Sequence, residues 1–164
     1  MTDVVVRHIP VKNRLASLIR TPGGKKLKDA LADAERNLET VRADCVNQVD
    51  HLLSEIQRLA GGGGDPDLAA RERIYDLANQ ILGLAGTFGM ASLGRAAFSL
   101  CELIDCTLDG GGCPRGEVLV HVESLQLLRY PARLGAAGEA AVLDGLTKII
   151  RHAQARSARV AAGA

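Results

Sequence analysis

Through residues 27–60 apolar side chains recur at Leu27, Leu31, Ala34, Leu38, Val41, Cys45, Val49, Leu52, Ile56 and Leu59, and no Pro or Gly interrupts them. The steps alternate between four and three residues, with one extra four after Cys45. Alternation of this kind is a heptad seam, and the extra step is a stutter in it. The pattern predicts one unbroken helix about 51 Å long at 1.5 Å per residue, where a 20-residue helix spans only about 30 Å. Its N-terminal half is expected to overhang, folding back on residues 11–20 or pairing with a second copy. Gly61-Gly62-Gly63-Gly64 ends it. Apolar residues are 47% of the 164 but aromatics only 2%, so the core must be built from Leu, Ala, Ile and Val. That composition suits closely packed helices better than a sheet sandwich, and the expected class is all-α in a single unit.

The rest of the chain reads as shorter helices divided by Gly and Pro. Residues 1–11, interrupted by Pro10, read as an extended arm, and Val11 to Arg20 as a short helix stopped by Thr21-Pro22-Gly23-Gly24. Asp65-Pro66-Asp67 supplies an N-cap and an N1 proline for a helix reaching about Gly86, with Ile74, Leu77, Ala78, Ile81, Ala85 and Phe88 as its buried stripe. Gly86-Thr87-Phe88-Gly89 makes a tight connection. Ser92 then caps a helix to Leu108 with Leu93, Ala96, Ala97, Leu100, Leu103 and Ile104 inward. After the Asp109-to-Pro114 turn, a helix over roughly 116–129 turns Val118, His121, Val122, Leu125 and Leu128 inward, and Pro131 closes it. A last helix, about 138–159, buries Ala141, Val142, Leu146, Ile149 and Ile150. Its Lys148, Arg151, Arg156 and Arg159 read as a solvated C-terminal end. Short connections force antiparallel neighbours. The expected organisation is an N-terminal arm and short helix over 1–26, a four-helix bundle over 27–130, and a C-terminal helix with a basic tail over 131–164.

Charge and cysteines restrict the function. Twenty basic against nineteen acidic residues give a net charge of +1, which points to neither nucleic acid nor an anionic membrane and favours a folded protein partner. Cys45, Cys101, Cys106 and Cys113 form no Cys-x-x-Cys pair and read as reduced thiols, without disulfides, zinc or another cofactor. No signal peptide or membrane span is visible, so the expected location is cytoplasmic. Gly23-Gly24-Lys25-Lys26 lacks the spacing of a phosphate-binding loop, and no nucleophile elbow or paired-carboxylate pattern suggests an enzyme.

The second face of the helix around Ile74–Met90 is unusual for a solvated surface. It carries Tyr75, Asn79, Leu82, Gly83 and Gly86, where Lys, Glu or Arg would ordinarily stand. Ala78-Asn79-Gln80-Ile81-Leu82-Gly83-Leu84-Ala85-Gly86-Thr87-Phe88-Gly89 resembles the phosphorylation segment of histidine phosphotransfer (HPt) domains, Ala-His-x-Leu-Lys-Gly, four residues, then Gly. Phe98 to Ile104 and His121 to Leu125 resemble the helices that follow it in a bacterial group of these proteins, and the opening Ile9 to Leu15 more faintly resembles their N-terminus. Asn79 stands where the family has its phosphoryl-accepting His, and Leu82 where it has the Lys that offsets the phosphate.

The resemblance implies an antiparallel up-down four-helix bundle of HPt type, with an N-terminal extension and an extra C-terminal helix. It implies a docking surface for a response-regulator receiver domain or a histidine kinase at Tyr75, Asp76, Asn79, Leu82, Gly83, Leu84, Gly86 and Met90. An amide nitrogen delocalised into its carbonyl is not a nucleophile, so Asn79 cannot carry the phosphoryl group. The implied function is a non-catalytic (pseudo) phosphotransfer protein in two-component phosphorelay signalling, an inhibitor, sequestering factor or scaffold. Two alternatives stand beside it: an active relay protein using His51, His121 or His152, and a structural helical dimer joined through 27–60.

Overall fold

Five α-helices account for nearly all of the described residues, 23–108 and 112–163, in the computed structural model. They are α1 (Leu27–Ala60), α2 (Leu68–Thr87), α3 (Ala91–Leu108), α4 (Arg115–Leu128) and α5 (Gly135–Gly163), with a 3₁₀ turn at Pro131–Arg133. No strand occurs among the described residues. The expected arm, the short helix over residues 11–20 and the start of the Asp109-to-Pro114 turn lie outside them. By its contacts the chain divides between Val41 and Arg42, within α1.

The second unit is a helical bundle. Its core takes Val49, Leu52, Leu53, Ile56 and Ala60 from α1, the whole expected stripe of α2, all six expected residues of α3 and all five of α4. On α5 the expectation was partly wrong: Ala141 is exposed, Val142 and Ile149 are half-buried, and Leu143 and Ala153 are core beside Leu146 and Ile150. The α5 contact arc lies slightly around the helix from the one its Ile and Val residues suggest.

Polar contacts fix the directions of neighbours. Arg73 of α2 donates through Nε and Nη2 to Glu55 Oε1 of α1 at 3.0 and 2.9 Å, and Arg42 Nη1 reaches the Phe88 carbonyl at 3.3 Å, so α1 and α2 run antiparallel. Gln126 Nε2 donates to Gln57 Oε1 at 2.9 Å and Arg129 Nε to Asp50 Oδ1 at 2.9 Å, which sets α4 antiparallel to α1. α3 packs against α2, α4 and α5, making it the central element. Arg156 of α5 grips Glu117 of α4 with two bonds of 2.6 Å, so this cation joins two helices and is not part of a solvated end.

Helix ends are satisfied as their sequences require. Asp67 caps α2 by accepting from the Ala70 N–H at 2.8 Å, which places Pro66 before the cap and not at the first helical position. The Phe88 N–H returns to Leu84 O at 3.1 Å and the Met90 N–H to Ala85 O at 2.9 Å, with Gly89 at φ 70° between them. This Schellman turn ends α2 and reverses the chain into α3 within three residues. Ser92 is not the cap of α3; it lies inside the helix and its hydroxyl donates to Glu139 of α5. Arg115 closes the C-terminus of α1 by donating to the Ala60 and Gly61 carbonyls at 3.1 and 3.3 Å.

Candidate docking face on the second helix

A 3.6-residue repeat sets each predicted site residue at a definite angle about α2. Taking Asn79 as the centre, Leu82, Tyr75 and Gly86 fall within about 60° on one side, and Gly83 and Asp76 within about 60° on the other. Asp76, Asn79, Gly83 and Gly86 are exposed, and Tyr75 and Leu82 are half-buried where this face meets the core. These four exposed residues share one side of α2. Leu84 does not belong to it: five residues beyond Asn79 it lies roughly 140° around the helix, half-buried on the opposite flank. Met90 follows the Schellman turn, half-buried at the end of the face.

Among the described residues nothing gives the glycines on this face a steric reason. A Cβ placed on Gly83 or Gly86 meets nothing within 4 Å. Gly94 differs, because a Cβ there comes to 3.4 Å from Ala85 Cβ and 3.8 Å from Leu82 Cδ1, where α3 crosses closely over α2.

Two depressions flank the face. Toward the N-terminus of α2, Tyr75 and Asp76 share a hollow of about 460 Å³ with Glu72, Ile104 and Asp105. Asp105, then Cys101, burial and Asp76, hold the Tyr75 phenol above its ordinary range, so it stays a neutral hydrogen-bonding group. Toward the C-terminus, Leu82, Gly86 and Met90 open onto a groove of about 610 Å³ that continues over α3 and α5. Its apolar lining includes Phe98, Leu143, Leu146 and Ile150, and its charged residues are Arg95, Glu102 and Arg151. Phe98 is 52% exposed. Sequence reasoning did not single out Phe98 or Arg95; the available signal was an aromatic standing off the inward stripe of α3. Arg95 lines the same groove as Leu82.

The histidines are placed differently from one another. His51 and His152 are exposed. His121 has no exposure and both ring nitrogens are engaged. Its Nδ1–H donates to the Glu117 carbonyl at 2.8 Å, which leaves Nε2 to accept from the Ser99 hydroxyl at 3.1 Å. Burial pushes its pKa below the ordinary 6.5, against a smaller opposing effect of Glu117. It is a structural histidine, as its position on the core face predicted.

All four cysteines are free, and burial pushes the Cys101 thiol up to about 11. Among the described residues no group of three His, Cys, Asp or Glu side chains could hold a metal ion, and no helix is long and apolar enough to cross a membrane. The chain matches no protein-family model, no curated protein and no solved structure.

Proposed function

We propose that the chain is a non-catalytic relative of histidine phosphotransfer domains, in an antiparallel four-helix arrangement of that type, that binds a receiver domain or a histidine kinase. It acts in phosphorelay signalling by sequestering, inhibiting or scaffolding that partner. The observation that carries the reading is the exposed run Asn79, Gly83 and Gly86, with no internal use for either glycine. Each glycine lowers helix stability by about 1 kcal/mol relative to Ala, and a partner that must approach the backbone accounts for keeping both.

Asn79 offers hydrogen bonding without nucleophilicity, and Leu82 offers apolar contact where the family has a cation. Arg95 supplies charge from α3. Such a face favours slow dissociation over transient exchange. Calorimetric titration against the receiver domains and kinases of the source cell tests it. Saturable binding weakened at least about tenfold by Leu82→Glu is expected, since the substitution puts a charge into an apolar contact. No binding to any of them, or binding indifferent to Leu82→Glu, removes the proposal.

A further inference from the structure

From Leu27 to Asp44 every residue of α1 except Asp33 is exposed. Yet this segment carries the most regular part of the heptad seam, with Leu27 76%, Leu31 55%, Leu38 45% and Val41 44% exposed. A helix of this length is marginal in water when nothing packs on it. A row of Leu and Val on one side needs a cover, and a heptad row is shaped for a second helix with the same repeat. The same chain supplies one.

The flanking charges choose the direction of pairing. Leu31 and Leu38 take the a positions and Leu27, Ala34 and Val41 the d positions, which puts Lys28 and Glu35 at e, and Ala30 and Asn37 at g. A parallel pair sets each g against the e five residues on, where Lys28 meets only Gly23 and Glu35 only Ala30, neither charged. An antiparallel pair sets e against e. With Leu27 opposite Leu38 and Leu31 opposite Ala34, Lys28 of each copy faces Glu35 of the other, twice about a two-fold axis. Slipping one copy by a heptad opposes Lys28 to Lys28 or Glu35 to Glu35, so the charges also fix the register.

The other charges of this segment do not compete. Lys25, Asp33 and Arg36 form a network on the outer b, c and f positions. Lys28 and Glu35 close no ion pair with another described residue.

We propose that Leu27, Leu31, Ala34 and Leu38 form the seam of an antiparallel dimer of this chain, with Lys28 of each copy paired to Glu35 of the other. The seam is short, so the dimer is weak and concentration-dependent. It lies apart from the α2 face and stands whether or not that face binds a receiver.

Sedimentation of the full chain from micromolar to near-millimolar concentration tests it. The mass is expected to rise from one copy toward two, and Leu31→Glu to hold it at one while thermal unfolding of the core stays unchanged. At low salt, Lys28→Glu or Glu35→Lys alone should weaken association about tenfold, and the two together should restore it. A mass of one copy throughout overturns the proposal. Failure of the double swap to recover overturns the register and direction. A monomer that loses helix on Leu31→Glu assigns the cover to the chain's own first 22 residues instead, which also overturns it.

Discussion

Gly83 lies inside α2 and Gly86 in its last turn, and no described residue crowds either position. With open space at both Cβ positions, Gly83→Ala is expected to stabilise the protein by about 1 kcal/mol and Gly86→Ala, next to the helix end, by less, measured by denaturant unfolding. On the proposed function the same substitutions weaken partner binding, so stability and affinity move in opposite directions. His121 behaves in the reverse sense. Its folded pKa lies below the ordinary 6.5, so between that folded value and 6.5 the unfolded chain binds more protons than the folded one. Its contribution to stability is complete above pH 6.5 and is lost as pH falls through the folded value. Melting temperatures measured from pH 7.5 to 5 should fall, and His121→Gln should flatten that slope. Cys101, with its pKa at about 11 and its side chain buried, should resist iodoacetamide at pH 8 until the protein is unfolded.

Individual helices owe their limits to a few polar and glycine residues. Gly89 sits at φ 70°, where a Cβ is strained whatever the space around it. Gly89→Ala should cost about 1 kcal/mol, opposite in sign to the change at Gly83, and unfolding of the two variants side by side separates conformational from steric effects. Arg115 acts on a helix other than its own by closing the last carbonyls of α1. The Gly61 to Gly64 run stops that helix, and Arg115 from α4 then satisfies the stopped end. Ser92 and Arg156 extend the point. Sequence spacing gave them local roles, a cap and a solvated end, but each bonds a residue of another helix.

Across the molecule, stability is expected to follow burial. α3 is packed by three other helices, whereas α1 is exposed from Leu27 to Asp44 apart from Asp33 and joins the core from Val49. Amide exchange at dilutions that keep the protein monomeric should be slowest around Leu93–Ile104 and fast over 27–44. Slowing over 27–44 as concentration rises would report the dimer seam directly. The division of the chain at 41/42 falls within this exposed stretch of α1.

The sequence alone determined the helices and their inward stripes, because a 3.6-residue period, Gly runs and heptad spacing are local properties that packing did not override. Every expected core residue of α2, α3 and α4 is buried. Which parts of a seam are covered is not local: Leu27, Leu31 and Leu38 have the same spacing as Leu52 and Ile56, and only the fold leaves the first three in water. The candidate face was legible around Asn79 because its residue types were wrong for a solvated surface. Leu84 was misplaced by adjacency in sequence, which a helix converts into separation around its axis. Phe98 and Arg95 join Leu82 in one groove only because α3 returns antiparallel across α2 at Gly94. Chemistry between helices, from the Arg115 closure to the Arg156 clasp, was decided by tertiary structure, since no one-dimensional period records which side chains meet.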